Sequence, residues 1–314
     1  MSNIFDALQR AEAENSGTEG SGLSLATDLL RSAELLRSAE LKMRGSTLAA
    51  EQLPSADSFD ANPPAPASTE DVEHCPVLPF VIREESHLIS VAEEGSLGAE
   101  KFRFLAVRLR QLRQSRPLKK ILITSSIPQE GKSMVAANLA CTLARRKRQK
   151  TLLLEGDLRR PTVAAEFGLG RIPGLCEWLS GQTKGINLYR LESLGLWVLP
   201  AGAAPQNPLE LMQSGKLSPL MDQLEAAFDW IVIDSPPVLP LADASMWSRL
   251  ADGILLVTRR GVTEKKQLQR GLASLDTKKV LGALVNGSTD VAHSDYYQRY
   301  APPASSAESD DSSK

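Results

Sequence analysis

Residues 120–134 read KILITSSIPQEGKSM, an apolar run that breaks into a loop and then delivers Gly131, Lys132 and Ser133 at the start of a helix-length segment. The spacing fits the phosphate-loop pattern GxxxxGK[ST], with Ser126 standing where the first glycine is expected. Backbone N–H groups of such a loop, with the helix N-terminus behind it, form a cradle for phosphate oxygens that the helix dipole reinforces. Ser126, Pro128, Gln129, Glu130, Gly131, Lys132, Ser133 and Met134 are therefore the candidate nucleotide contacts. Lys132 would reach the β- and γ-phosphates, and the Ser133 hydroxyl would bind Mg2+, a hard cation that takes oxygen ligands. A Gly-Lys-Ser sequence alone often does no more than open a helix; this one is followed by two acidic strand ends.

The first, LLLEGDLRRP at 152–161, puts Glu155 and Asp157 at the end of an apolar strand, where ligands bind in parallel α/β sheets. The second, DWIVIDSPP at 229–237, ends its apolar run on Asp234, the position of a carboxylate that holds the magnesium water shell opposite Ser133. Either acid alone could be a turn or helix cap. Both, in this order after a phosphate loop, point to a metal-nucleotide site with Ser133, Asp157 and Asp234 as candidate metal ligands.

From Val77 to about Gly287 short apolar strands alternate with amphipathic segments of helix length, the signature of a mostly parallel sheet with helices on both faces. Strands are predicted over 120–124, 151–154, 196–200, 230–234, 253–258 and 280–286, and helices over 100–113, 132–146, 217–228, 243–250 and 263–275. The expected class is α/β with a P-loop nucleoside-triphosphatase fold. Upstream, a helix is predicted over 23–43, where LRSAEL at 30–35 recurs at 36–41. A period of six drifts around a 3.6-residue helix and smears its apolar face. Residues 1–45 read as a helical docking segment and 46–78 as a Pro/Ala/Ser-rich linker whose composition does not favour a packed core. Residues 79–290 read as the nucleotide-binding domain and 291–314 as a disordered tail.

Across 314 residues the net charge is -2, so no general basic field exists to hold nucleic acid or an anionic membrane. The three cysteines make no CxxC pair and the three histidines are scattered, which leaves no zinc-ligand spacing. The basic run RRKRQK at 145–150 closes the helix after the phosphate loop, where cations suit the C-terminal dipole. No apolar run approaches the roughly 18 residues that span a bilayer, so a cytoplasmic protein without a nucleic-acid partner is expected.

These motifs resemble the bacterial tyrosine autokinases that accompany capsular and exopolysaccharide export, relatives of the MinD/ParA ATPases. The resemblance runs from about Glu100 to Tyr300 and rests on TSSIPQEGKS, LEGDLRRP, PAGAAPQNPLELM, FDWIVIDSPPVLPLADA and LGALVNG. The opening MSNIFDALQRAEAE is also similar to the start of stand-alone members. The resemblance implies ATP and Mg2+ as cofactors and a nucleotide contact at Asn286. It implies in-line transfer to a tyrosine oxygen, with Lys132 and magnesium neutralising charge, Asp234 on the metal side, and Asp157 or Glu155 as general base. Its implied partners are a membrane-bound polysaccharide co-polymerase that activates the kinase and recruits it to the inner face of the membrane, further copies of the chain, and a cognate tyrosine phosphatase.

The C-terminus agrees independently, because three of the four tyrosines, Tyr296, Tyr297 and Tyr300, fall within DYYQRY. Aromatic residues in a polar tail bury nothing, and in the family such a cluster is the phosphoacceptor. An extended chain from Asn286 to Tyr296 spans up to about 33 Å, enough to enter a neighbour's site, so transfer in trans is expected.

The chain also departs from the family, which has glycine at position 129 and aspartate at 155. The family's oligomerisation motif ExxRxxR is matched by Glu100 and Arg103, but Ala106 takes the third position. Two alternatives stay open: a weakly catalytic nucleotide-binding regulator, and a MinD/ParA-type positioning ATPase, whose signature lysine is replaced here by Ile127.

Overall fold

The computed structural model describes residues 75–80, 82 and 86–287. The docking segment, all but the end of the predicted linker, and the tail with its tyrosines lie outside the described residues. In chain order the elements are β1 (Val77–Leu78), α1 (Ile89–Ala92), α2 (Leu97–Ser115), β2 (Lys120–Ser125), α3 (Lys132–Ala144), β3 (Thr151–Glu155), α4 (Val163–Glu166) and α5 (Leu175–Leu179). Then come β4 (Tyr189–Leu191), β5 (Leu196–Leu199), α6 (Pro208–Met212), α7 (Leu217–Ala227), β6 (Trp230–Asp234), α8 (Asp243–Leu250), β7 (Gly253–Arg259), α9 (Lys265–Ala273) and β8 (Val280–Asn286).

All eight strands join one sheet in the order β1-β4-β5-β3-β6-β2-β7-β8. Every neighbouring pair is parallel except β4 with β5. The expected mostly parallel α/β sheet is therefore present, and each strand and helix predicted between residues 100 and 286 corresponds to an observed one, while the helix predicted over 23–43 lies outside the described residues. The elements that pattern reading missed are short: β1, β4, α1, α4, α5 and α6 have two to five residues each. That is too few for either a 2.0 or a 3.6 period to register.

Strands β2, β3 and β6 are buried along their whole length. Alternate residues serve opposite faces: Leu122, Leu154 and Ile233 meet the layer of α7 and α8, while Ile123, Leu153 and Val232 meet α2 and α3. Each such side chain contributes about 1.5–3 kcal/mol by leaving water. Charge is consequently confined to the strand ends, which is where the candidate acids stand.

On α2, Glu100 and Arg103 pair with each other at 2.6 Å, and Arg103 also donates to the Glu94 carbonyl. Ala106 is fully buried against the sheet. The third position of the family's oligomerisation pattern thus faces the core in this chain. Among the described residues no helix is long and apolar enough to cross a membrane.

Candidate functional site

Sheet order brings the three motifs together. β6 lies between β2 and β3, with Asp234 opposite both Ile123 and Glu155. The C-terminal ends of these strands therefore present the phosphate loop, the Glu155–Asp157 turn and Asp234 side by side.

The Lys132 ammonium lies 2.9 Å from Asp157 Oδ2 and 3.9 Å from Asp234 Oδ1, and it donates to the Ser133 hydroxyl at 3.2 Å. Burial works against its charge, but the carboxylates of Asp234 and Asp157 outweigh burial and hold Lys132 above the usual lysine range. Asp157 also accepts from the Arg160 N–H at 3.1 Å, which fixes its second oxygen.

Asp234 is fully buried, and neither carboxylate oxygen has a partner in hydrogen-bonding geometry. Burial pushes it up to about 6, although Lys132 and the adjacent Ser133 hydroxyl oppose the rise. A buried, unsatisfied carboxylate is costly unless something completes it. With a hydroxyl and a second acid beside it, the donor set fits a magnesium ion that shares its remaining ligands with nucleotide phosphates. Among the described residues no group of three or more His, Cys, Asp or Glu could hold a metal unaided.

Glu155 is placed differently. One carboxylate oxygen accepts from the backbone N–H groups of Thr162 and of Val163, the latter at 2.6 Å, and the other from Ala201 N–H at 2.9 Å. It thereby ties the start of α4 to the end of β5. Burial pushes Glu155 up to about 7 against these three donors, which favour the carboxylate. Glu155→Gln keeps the bonds from Thr162 and Val163 but turns an amide NH2 toward Ala201 N–H. The mismatch costs about 1–3 kcal/mol, while loss of a carboxylate whose charge burial disfavours returns stability as pH rises towards its raised value. The urea midpoint of the variant is therefore expected to rise relative to wild type between about pH 5 and pH 8; a difference independent of pH would mean that burial does not raise Glu155.

The phosphate loop itself is built against type at two places. Gln129 has φ 66°, the only non-glycine with positive φ among the described residues, a conformation that costs a side-chain-bearing residue about 1–2 kcal/mol. Gly131 has φ 90°, and a Cβ there would stand 2.2 Å from Asn286 Nδ2, so position 131 needs glycine on both counts. Asn286, expected as a nucleotide contact, donates to the Glu130 carbonyl at 3.0 Å. Glu130 is fully buried and turns its carboxylate onto Ile127 N–H at 2.8 Å. Pro128 and Gln129 are exposed at the rim, while Met134 follows Ser133 in the first turn of α3.

Several supports were not visible in the sequence. Arg159 grips the buried Asp243 through two bonds of 2.7 and 3.1 Å, and Trp247 donates to the Gly156 carbonyl at 3.0 Å. Both fix the turn that carries Asp157 to α8. Tyr296, Tyr297 and Tyr300 fall outside the described residues, so their relation to the site is not part of the geometry.

No family model matches the chain. It is 36% identical over 219 residues to the tyrosine-protein kinase YwqD of Bacillus subtilis strain 168, covering 68% of this chain and 91% of that protein. It is 34% identical to the succinoglycan biosynthesis transport protein ExoP of Rhizobium meliloti strain 1021, over 63% of this chain but only 26% of ExoP. Among solved structures, the chimerical protein CapA2B2 superposes with a TM-score of 0.60 at 31% identity, over 69% of this chain and 98% of that one. With a relative this similar matched along nine-tenths of its length, and with the family's motifs meeting at one end of the sheet, the chain belongs to the bacterial tyrosine kinases.

Proposed function

We propose that this chain is an ATP-dependent protein-tyrosine kinase that phosphorylates Tyr296, Tyr297 and Tyr300 of its own tail, acting in trans between copies. The observation that carries the proposal is the convergence of Lys132, Asp157 and Asp234, with separations of 2.9 and 3.9 Å, beside the Ser133 hydroxyl. These groups suit MgATP. Ser133 and Asp234 would hold the magnesium ion with Asp157 nearby, and the ion would supply charge neutralisation at the transferred phosphoryl group. Lys132 would turn from the acids to the phosphates. That movement frees Asp157 Oδ2, which becomes the better placed of the two acids to take the phenol proton, since both oxygens of Glu155 are engaged by backbone N–H groups.

We infer a role in exopolysaccharide or capsule production. ExoP is a transport protein of succinoglycan biosynthesis, and this chain matches about a quarter of its length. A separate membrane-bound co-polymerase would supply what ExoP carries beyond the match. It would recruit the kinase to the inner face of the membrane through residues 1–45, across the linker that ends near residue 78, with 79–290 as the catalytic unit and 291–314 as the acceptor tail. A tyrosine phosphatase would reset the tail.

The test is peptide mass spectrometry after incubation with MgATP and the activating partner. Phosphate is expected on the tail tyrosines and on nothing after the combined Tyr296→Phe, Tyr297→Phe and Tyr300→Phe change. Unmodified tyrosines in a preparation that binds ATP would overturn the kinase reading in favour of a nucleotide-binding regulator.

A further inference from the structure

The two departures from a glycine-rich phosphate loop, Ser126 and Gln129, are both met by residues from the β7–β8 edge of the sheet. Gly271 in α9 leaves room for the buried Ser126 side chain: a Cβ on Gly271 would lie 2.4 Å from the Ser126 hydroxyl oxygen. At the ends of β7 and β8, Arg259 and Asn286 stand opposite each other in register. The Arg259 guanidinium donates to the Gln129 carbonyl at 3.3 Å, and the Asn286 amide donates to the Glu130 carbonyl at 3.0 Å.

Between these two contacts sits Thr263. Its hydroxyl accepts from Arg259 N–H at 2.9 Å and donates to one oxygen of the buried Glu130 carboxylate. The other oxygen accepts from Ile127 N–H at 2.8 Å. A continuous hydrogen-bond path thus runs from the β7 backbone through Thr263 and Glu130 to the loop on the far side of Gln129. It brackets the one left-handed non-glycine residue among those described.

We propose that Thr263 is a positioning residue of the nucleotide site, which through Glu130 holds Gln129 in the left-handed conformation so that the phosphate cradle is set before nucleotide arrives. The proposal rests on the nucleotide-binding reading above and deepens it. A loop that left this conformation would bind more weakly in proportion to the fraction of molecules still competent. The Thr263 hydroxyl bonds Arg259 N–H and Glu130 rather than Lys132, Asp157 or Asp234, so the step after binding is untouched by it.

The experiment compares Thr263→Val, which keeps the shape and removes the hydroxyl, with Thr263→Ser, which keeps the hydroxyl. ADP binding is followed by titration calorimetry, and the KM for ATP is set against kcat. Thr263→Val is expected to weaken ADP and raise KM by about fivefold, the scale of one lost hydrogen bond, with kcat within about twofold and wild-type behaviour restored in Thr263→Ser. In a Gln129→Gly background the left-handed conformation carries no penalty, and the same substitution is expected to cost under about twofold. Unchanged ADP affinity in Thr263→Val, a fall in kcat at constant KM, or an equal loss in both backgrounds would overturn the proposal. The calorimetric arm needs no phosphoryl transfer, so a chain without kinase activity would still answer it.

Discussion

Lys132→Met is expected to lower tail phosphorylation by about 10²–10³-fold, the usual cost of removing one preorganised charge stabiliser from a transferring group. Methionine fills nearly the same volume, so the change isolates the charge. In the native chain the Lys132 ammonium is mostly enclosed, 2.9 Å from Asp157 and 3.9 Å from Asp234. These carboxylates raise its pKa, and a group stabilised in its protonated form loses that contribution only as pH rises through the lysine range. The ammonium is therefore charged throughout any kinase assay. Removing it also takes from the buried Asp234 the cation that holds it down, while the charge of Asp157 that pushes it up stays. Like charges in a buried site favour retention of a proton, so the variant's stability without nucleotide should fall more steeply above about pH 5 than that of the wild type. Quantitative mass spectrometry of the tail and pH-resolved thermal melts check the two parts. Activity within tenfold of wild type would remove Lys132 from the mechanism.

What could be read from the sequence is what is contiguous in it. The loop from Ser126 to Ser133, the acid ends at Asp157 and Asp234, and the long buried strands each lie within about a dozen residues, and each has a period or spacing that survives translation into three dimensions. The order β3-β6-β2 that brings them together obeys the general rules of parallel sheets, so the site's location was also legible. What was not legible are the partners that depend on distance. Glu155 looks like a free acid beside Asp157 until Ala201, 46 residues away, is seen to bond it. Asn286, which the family resemblance makes a nucleotide contact, also holds the Glu130 carbonyl through its amide. Thr263 reads in the sequence as the first residue of a predicted helix, and only its place just after the end of β7 brings its hydroxyl to the loop. The signal available for such supports was indirect: a loop lacking glycine at 126 and 129 needs compensation somewhere, without any indication of where.

Asp234→Asn is expected to impair magnesium-dependent function severely while stabilising the protein that carries no nucleotide. The wild-type carboxylate is fully buried with neither oxygen in hydrogen-bonding geometry, and burial pushes it up to about 6 despite Lys132 and Ser133 beside it, against an ordinary aspartate value of about 3.9. The native state thus binds more protons than the unfolded chain between roughly pH 4 and 6, and stability falls as pH rises through that window. The two-unit displacement corresponds to up to about 3 kcal/mol at neutral pH. Asparagine is uncharged and nearly isosteric, so it escapes this term, at the cost of leaving Lys132 with Asp157 as its remaining partner. At pH 7 the variant should melt about 3–8 °C above wild type, and the difference should shrink towards pH 4 and close below about pH 3, where Asp234 is protonated in both states. Tail phosphorylation should drop by about 10²–10³-fold, and ADP with magnesium should raise the melting temperature no more than ADP with a chelator, whereas the wild type should distinguish the two. A variant that melts below wild type at pH 7 and still responds to magnesium would mean that the buried carboxylate belongs to the fold. The expected result would place it among residues kept for function against stability, as unsatisfied buried charges at active sites are.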